Sequence, residues 1–331
     1  MKTRTASNLT SNTPYHFRPL LRLLFTLLSI AAALLAMPIT ARAQIFVTNF
    51  NNGTVGEYTT SGVAINPSFI TGLFTPDGIV VSGSNIYVTN GNSISQYTTS
   101  GVLVNPALIT GLDNARGLAL SGSNLFVANL GATPSIGKIG VYTTSGATVN
   151  ASLITGLNRP IGIAVSGSSL FVTSINSGSD GTVGKYTTSG VPVNISLYGA
   201  LSFPEGIVVF GTDLYITRAG NSIGQYTTSG GTVNASLVTG LSGPSGLALF
   251  GGNLFVTNAN GNTIGEYTAA GGVINSSLVT GLNGPSGIAV VPEPSGWAIL
   301  MVGGVLILGL HRRRGHKGGA LGMVAGRPSI T

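Results

Sequence analysis

Short apolar runs recur along residues 44–291, separated by turns rich in glycine, serine and asparagine, and none of them keeps the period of a helix. The copy at residues 244–282 shows the unit most clearly. Gly246-Leu-Ala-Leu-Phe250 is a first run, Gly251-Gly252 turns the chain, and Asn253-Leu-Phe-Val-Thr-Asn258 is a second run rich in β-formers. Thr263-Ile-Gly-Glu-Tyr-Thr268 and Val273-Ile-Asn-Ser-Ser-Leu-Val279 supply a third and a fourth. The phrase Tyr58-Thr-Thr-Ser-Gly62 marks the end of the third run, and its copies start at Tyr97, Tyr142, Tyr186, Tyr226 and, as Tyr-Thr-Ala-Ala-Gly, Tyr267, with spacings of 39, 45, 44, 40 and 41 residues. Four strands in a unit of about 40 residues is the blade of a β-propeller.

The two ends of the repeat region sharpen that expectation. The region begins with Ile45-Phe-Val-Thr-Asn49, which corresponds to a second strand, and ends with Gly287-Ile-Ala-Val290, which corresponds to a first. Joined in space they complete a sixth blade from both termini and leave no half-blade edge unpaired. A linear solenoid has no use for this permutation and needs polar caps instead. The sequence therefore predicts an all-β, six-bladed propeller over residues 44–291, closed by its N- and C-terminal strands. The six first strands, beginning at Gly78, Gly117, Gly162, Gly206, Gly246 and Gly287, are expected to line the channel, where small residues let six strands converge. The second-strand aromatics (Phe46, Tyr87, Phe126, Phe171, Tyr215, Phe255) and the repeated tyrosines are expected to pack between blades; the other reading of the tyrosines is a binding surface.

Composition changes the picture mainly by exclusion. The 331-residue chain carries a formal charge of +7, yet residues 44–291 hold five cations and seven anions, a net of −2. The basic balance thus belongs to the two ends, not to a phosphate-binding surface, and nucleic acid is not an expected partner. Cysteine is absent, which removes disulfides, thiolate metal sites and a cysteine nucleophile.

The ends read as addresses. Lys2, Arg4, Arg18 and Arg22 precede an apolar stretch over residues 23–37, and Ala41-Arg-Ala43 places small residues where a signal peptidase reads them. Residues 1–43 are therefore expected to be a secretory signal peptide, with cleavage between Ala43 and Gln44; the other reading is an uncleaved anchor. At the far end Pro292-Glu293-Pro294 is followed by an apolar run over residues 297–310 and by Arg312-Arg313-Arg314. Residues 292–314 resemble the PEP-CTERM sorting signal of Gram-negative bacteria that make exopolysaccharide. The resemblance implies a transmembrane helix, an exosortase-type membrane protease as partner, delivery to the cell surface or extracellular matrix, and a cytoplasmic tail at residues 315–331 before processing. A plain anchor that is never processed is the alternative.

Across residues 44–291 the Pro-x-Gly-Ile-Ala-Val and Asn-Leu-Phe-Val-Thr-Asn segments resemble the NHL and streptogramin-lyase-like propellers. The resemblance rests on blade-forming residues and so implies fold rather than activity. Streptogramin-lyase-like enzymes imply histidine-centred chemistry with a metal ion, but His16, His311 and His316 all lie outside the repeats, and no residue inherits that role. Gluconolactonase-like propellers imply a divalent ion held in the channel; Glu205 in Pro204-Glu205-Gly206 is the one starting point, and the partner carboxylates for a hard cation are not evident. No metal or cofactor is expected. Five Asn-x-Ser/Thr sequons, at Asn52, Asn150, Asn194, Asn234 and Asn275, are matched by chance and strand polarity in so Asn- and Ser-rich a chain.

The loops before the first strand and between the second and third share one face of a propeller. On that face the sequence collects Asp77, Asp113, Arg116, Arg159, Glu205 and Arg218, which become the candidate ligand-binding residues. The expected function is a non-enzymatic surface or matrix protein that binds polysaccharide or protein. The alternatives are a lactonase-like hydrolase or lyase at the charged mouth, and a structural filler without a specific ligand.

Overall fold

The computed structural model describes residues 43–132, 137–176, 178 and 180–292. The signal-peptide and sorting segments lie outside the described residues, apart from Ala43 and Pro292. Among the described residues no helix is long and apolar enough to cross a membrane.

Six antiparallel four-stranded sheets make up the described unit, each one blade. Blade I contains β24 (Pro285–Val291), β1 (Gln44–Asn49), β2 (Thr54–Thr59) and β3 (Ala64–Ile70), in that spatial order. The clasp expected from the sequence is present: Gln44 pairs with Val291, Ile45 with Val290 and Phe46 with Ala289. The other blades are each four consecutive strands. Blade II runs from β4 (Ile79–Ser82) to β7 (Leu103–Ile109), blade III from β8 (Ala115–Ser121) to β11 (Thr148–Leu157), and blade IV from β12 (Pro160–Ser166) to β15 (Pro192–Ser202). Blade V runs from β16 (Pro204–Phe210) to β19 (Thr232–Val238), and blade VI from β20 (Pro244–Phe250) to β23 (Val273–Val279).

The apolar core is not inside the blades but between them. Six clusters of buried side chains each draw on two neighbouring blades. Phe46 of blade I meets Tyr97 of blade II, and Phe126 of blade III meets Tyr186 of blade IV, so second-strand aromatics pack with the next blade's repeated tyrosine as expected. Burying rings of this size contributes on the order of 2–3 kcal/mol each.

At the axis the blades touch backbone to backbone. A Cβ added to Gly78 would lie 2.3 Å from the Arg116 carbonyl oxygen, and one on Gly117 would lie 2.2 Å from that of Ile161. The relation passes on through Gly162, Gly206 and Gly246 to Gly287, whose added Cβ would stand 2.1 Å from the Asp77 oxygen, and the ring closes. The second-strand threonine fastens this contact. Thr173 Oγ1 accepts from Gly162 N at 2.8 Å and donates to the Glu205 carbonyl of the next blade at 2.7 Å. Thr48, Thr217 and Thr257 do the same in blades I, V and VI. Thr89 of blade II accepts from Gly78 N, which itself reaches the Arg116 oxygen at 3.2 Å. Blade III has Ala128 at this place, fully buried.

The outer strands explain four of the five sequons; the fifth, Asn52, lies in the turn between β1 and β2. Asn150 Oδ1 accepts from Ser152 N at 2.9 Å, and Asn66, Asn105, Asn194, Asn234 and Asn275 each accept from the amide two residues on. These asparagines sit where the pairing register of the outer strand shifts. The asparagine of this pattern thus forms a bulge turn built into every blade, including the two whose Asn precedes proline and is no sequon, Asn66-Pro-Ser and Asn105-Pro-Ala.

The ring contact is testable by glycine replacement. Gly246→Ala should cost about 3 kcal/mol or more in a denaturant titration, because only backbone stands in the way. Gly220→Ala, whose nearest neighbour would be Ser222 Oγ at 3.8 Å, should change stability by less than about 0.5 kcal/mol. Equal effects would show that the blades are free to separate at the axis. The threonine bridge has its own check in thermal melts. Ala128→Thr should add about 1 kcal/mol by linking Gly117 N to the Ile161 oxygen, whereas Thr173→Val should remove roughly 1–3 kcal/mol by leaving two buried groups unpaired.

Candidate functional site

The residue immediately before each ring glycine has its carbonyl fixed by the ring contact, so its side chain is held at one mouth of the channel. Around the six blades this place is taken by Asp77, Arg116, Ile161, Glu205, Ser245 and Ser286. All six line one groove of about 410 Å³, together with Phe50, Arg159 and Phe203 among others. Below it the six ring glycines border a constriction of about 90 Å³. Beyond that, aliphatic side chains of the first strands border a further space of about 390 Å³ at the opposite mouth. The charged side chains therefore stand at one end of the channel, and the first strands line it as expected.

Four of the six candidate residues, Asp77, Arg116, Arg159 and Glu205, come together in the groove. Arg116 Nη1 stands 2.7 Å from Asp77 Oδ2, and its guanidinium lies 5.4 Å from the centroid of the Phe50 ring. Ser286 donates to the other Asp77 oxygen at 2.5 Å. Both Asp77 carboxylate oxygens are thus engaged, one by the guanidinium and one by the serine hydroxyl, which fixes Ser286 at the mouth. Glu205 has no such cation beside it. Burial pushes its carboxyl above the ordinary carboxylate range and the Asp77 charge adds to this, while a hydrogen bond with the Ser245 side chain and the Arg116 charge oppose it.

The other two candidates serve their own loops. Asp113 Oδ2 accepts from Ala132 N at 3.1 Å. Arg218 Nη2 donates to Ser222 Oγ at 3.1 Å and to the Ala235 carbonyl, within blade V. Among the described residues no group of three His, Cys, Asp or Glu gathers that would hold a metal ion.

A second ring of positions, three residues before each ring glycine, has left-handed backbone in all six blades. Gly243 and Gly284 adopt it at φ 64 and 61, Asn114 at 54, and Thr75, Arg159 and Phe203 at 44, 48 and 38. The conformation turns the carbonyl back to the blade's second strand: Ile175 N donates to Arg159 O at 3.3 Å, as Ala259 N does to Gly243 O at 2.8 Å and Phe50 N to Gly284 O at 2.9 Å. Glycine adopts it freely, whereas an arginine or phenylalanine carries strain of about 1–2 kcal/mol. Two of the strained side chains, Arg159 and Phe203, line the groove.

Phe50, Phe203, Ser245 and Ser286 belong to the groove but escape the sequence reading, which weighs charges alone. Aligning the repeats on the ring glycine places Phe203, Ser245 and Ser286 in the same two columns as Arg159, Asp77 and Glu205, and that is the signal that finds them.

The Glu205 shift has a checkable sign. Its folded-state value lies above its unfolded one, so its contribution to stability is full below the unfolded value and is lost as pH rises through the folded value. Glu205→Gln should therefore raise the melting temperature modestly at neutral pH and leave it unchanged well below the carboxylate range. A constant difference across that range would mean that the effect is steric.

No family model matches the chain, and no curated protein matches it in sequence. Its similarity to solved structures is extensive. A propeller in a nidogen/laminin complex superposes with a TM-score of 0.65 at 18% identity, covering 76% of this chain and 100% of the other. A streptogramin B lyase does so with a TM-score of 0.54 at 20% identity, over 76% of this chain and 88% of the other. A gluconolactonase from Xanthomonas campestris gives 0.52 at 14% identity, over 66% and 84%. At these identities the likeness establishes architecture: the chain is a six-bladed β-propeller with structural neighbours of the NHL and streptogramin-lyase type.

Proposed function

We propose that this protein is an exported, non-enzymatic propeller of the cell surface or extracellular matrix that binds polysaccharide through its charged mouth. The reading includes delivery through a cleaved signal peptide and processing of the sorting segment by an exosortase-type membrane protease. The observation that carries the binding role is the placement of Arg159 and Phe203. Glycine satisfies the same backbone position in blades VI and I without strain, yet the neighbouring blades IV and V hold a guanidinium and a phenyl ring there, at the edge of an open groove. Strain retained at a groove marks side chains held for what they contact. Phenyl faces suit the apolar faces of sugar rings. Arg159, Glu205, Ser245 and the Asp77–Arg116 pair supply donors and acceptors for hydroxyl groups.

The test separates binding from folding. Replacing Arg159 or Phe203 by glycine relieves strain of about 1–2 kcal/mol and adds about 0.5–1 kcal/mol of backbone entropy cost, so each variant should melt within a few degrees of the parent. Retention on host exopolysaccharide should nevertheless fall about tenfold, a loss of about 1.4 kcal/mol. Full retention by well-folded variants would remove the mouth as the binding site.

A further inference from the structure

Of the fourteen exposed large apolar side chains among the described residues, twelve sit on the outer strands β3, β7, β11, β15, β19 and β23 or on the residue leading into them. Val102, Leu103 and Val104 form one such group, and Val191, Val193 and Ile195 another. The charges avoid these strands: all twelve charged residues of positions 44–291 fall elsewhere. The first five residues of β3, β11, β15, β19 and β23 are all exposed. Successive residues of a strand point to opposite faces, so each outer strand begins as a fin with solvent on both sides.

We infer that these fins are contacts for a second copy of the same chain, so that the propeller associates laterally through its rim. An outer strand presents a row of backbone N–H and C=O groups with no neighbour, and soluble proteins ordinarily guard such an edge with lysine or other charges. Here the charged guard is missing on all six blades; the asparagine bulge interrupts each edge, proline adds to it in β3, β7 and β15, and β11, β19 and β23 have the bulge without proline. Two copies brought together antiparallel about a two-fold axis set the same uncharged Val/Ile row against itself, with nothing to repel. The net charge of −2 over residues 44–291 adds little long-range repulsion. A partner of another kind would need some feature on one particular blade, whereas the exposed apolar residues recur on all six.

One fin is short and its contact falls below the roughly 1,000 Å² of a stable interface, so a single pair is weak. Six fins on one molecule allow several contacts at once, and avidity then favours open assemblies over a closed dimer. This inference is independent of the polysaccharide site, since the rim and the mouth share no residue.

Sedimentation velocity of the full chain over a concentration series, in one mild detergent, decides the matter. The parent should form larger species as concentration rises. The variant Val102→Lys, Val104→Lys, Val193→Lys, Ile195→Lys, altered only at exposed positions, should shift that transition to at least about tenfold higher concentration with the same melting temperature. Should the lysines impair folding, threonine at the same four places keeps the β-propensity and should still weaken association. Arg159→Gly should assemble like the parent. A parent that stays monomeric throughout, or well-folded rim variants that associate as the parent does, would overturn the inference and assign any association to the terminal segments.

Discussion

Everything in this molecule depends on how closely six backbones approach one axis. The ring glycines stand against the carbonyl of the next blade with no room for a methyl group, each added Cβ falling 2.1–2.3 Å from that oxygen. The second-strand threonines convert close approach into bonding by joining a glycine amide to the neighbouring carbonyl. From that hub the blades diverge, and buried side chains from two neighbouring blades fill each wedge. Alanine and small aliphatics stand near the axis, Phe/Tyr pairs occupy the middle, and Leu or Ile from the fourth strand closes the outer end. The clasp in blade I adds β1 to β24, so the ring is shut by the same hydrogen-bonded ladder that builds each blade.

The fold was legible because its determinants repeat. A glycine followed by an aliphatic run, a Phe/Tyr in the second strand and a Tyr-Thr-Thr-Ser-Gly turn each recur at one place in the unit, and the offset between the chain's first and last strands reveals the closure. Repetition also hid something. In Phe-Val-Thr-Asn the threonine counts as one more β-former, and only the folded ring brings its hydroxyl between two blades. The Asn-x-Ser triplets match a modification signal, although each asparagine oxygen is engaged by the backbone.

The candidate site was legible in part for a geometric reason. Sequence assigns a loop residue to a face of the propeller but not to a distance from its axis. Asp77, Arg116 and Glu205 directly precede a ring glycine and therefore stand at the mouth. Asp113 and Arg218 share the face but sit further along their loops, where the nearest partners are the loop amide of Ala132 and the strand carbonyl of Ala235. Ser245 and Ser286 occupy the inner column without charge, and a search for charged groups passes over them.

A ring of six similar blades has no inherent reason to carry a unique site. The mouth becomes singular because two columns are released from the constraint that fixes the rest. The residue before the ring glycine contributes only its carbonyl to the contact, and the residue three before it contributes only a left-handed turn, so both side chains are free to differ from blade to blade. Glycine in blades VI and I marks where the turn alone is needed; Arg159 and Phe203 mark where a side chain is kept in spite of strain. The rim follows the opposite rule. Its exposed aliphatic residues recur around the circumference, so whatever meets the rim meets several similar edges, while whatever enters the mouth finds one arrangement of charges and rings. The same repeat therefore gives a singular surface at one end of the axis and a repeated one around the edge.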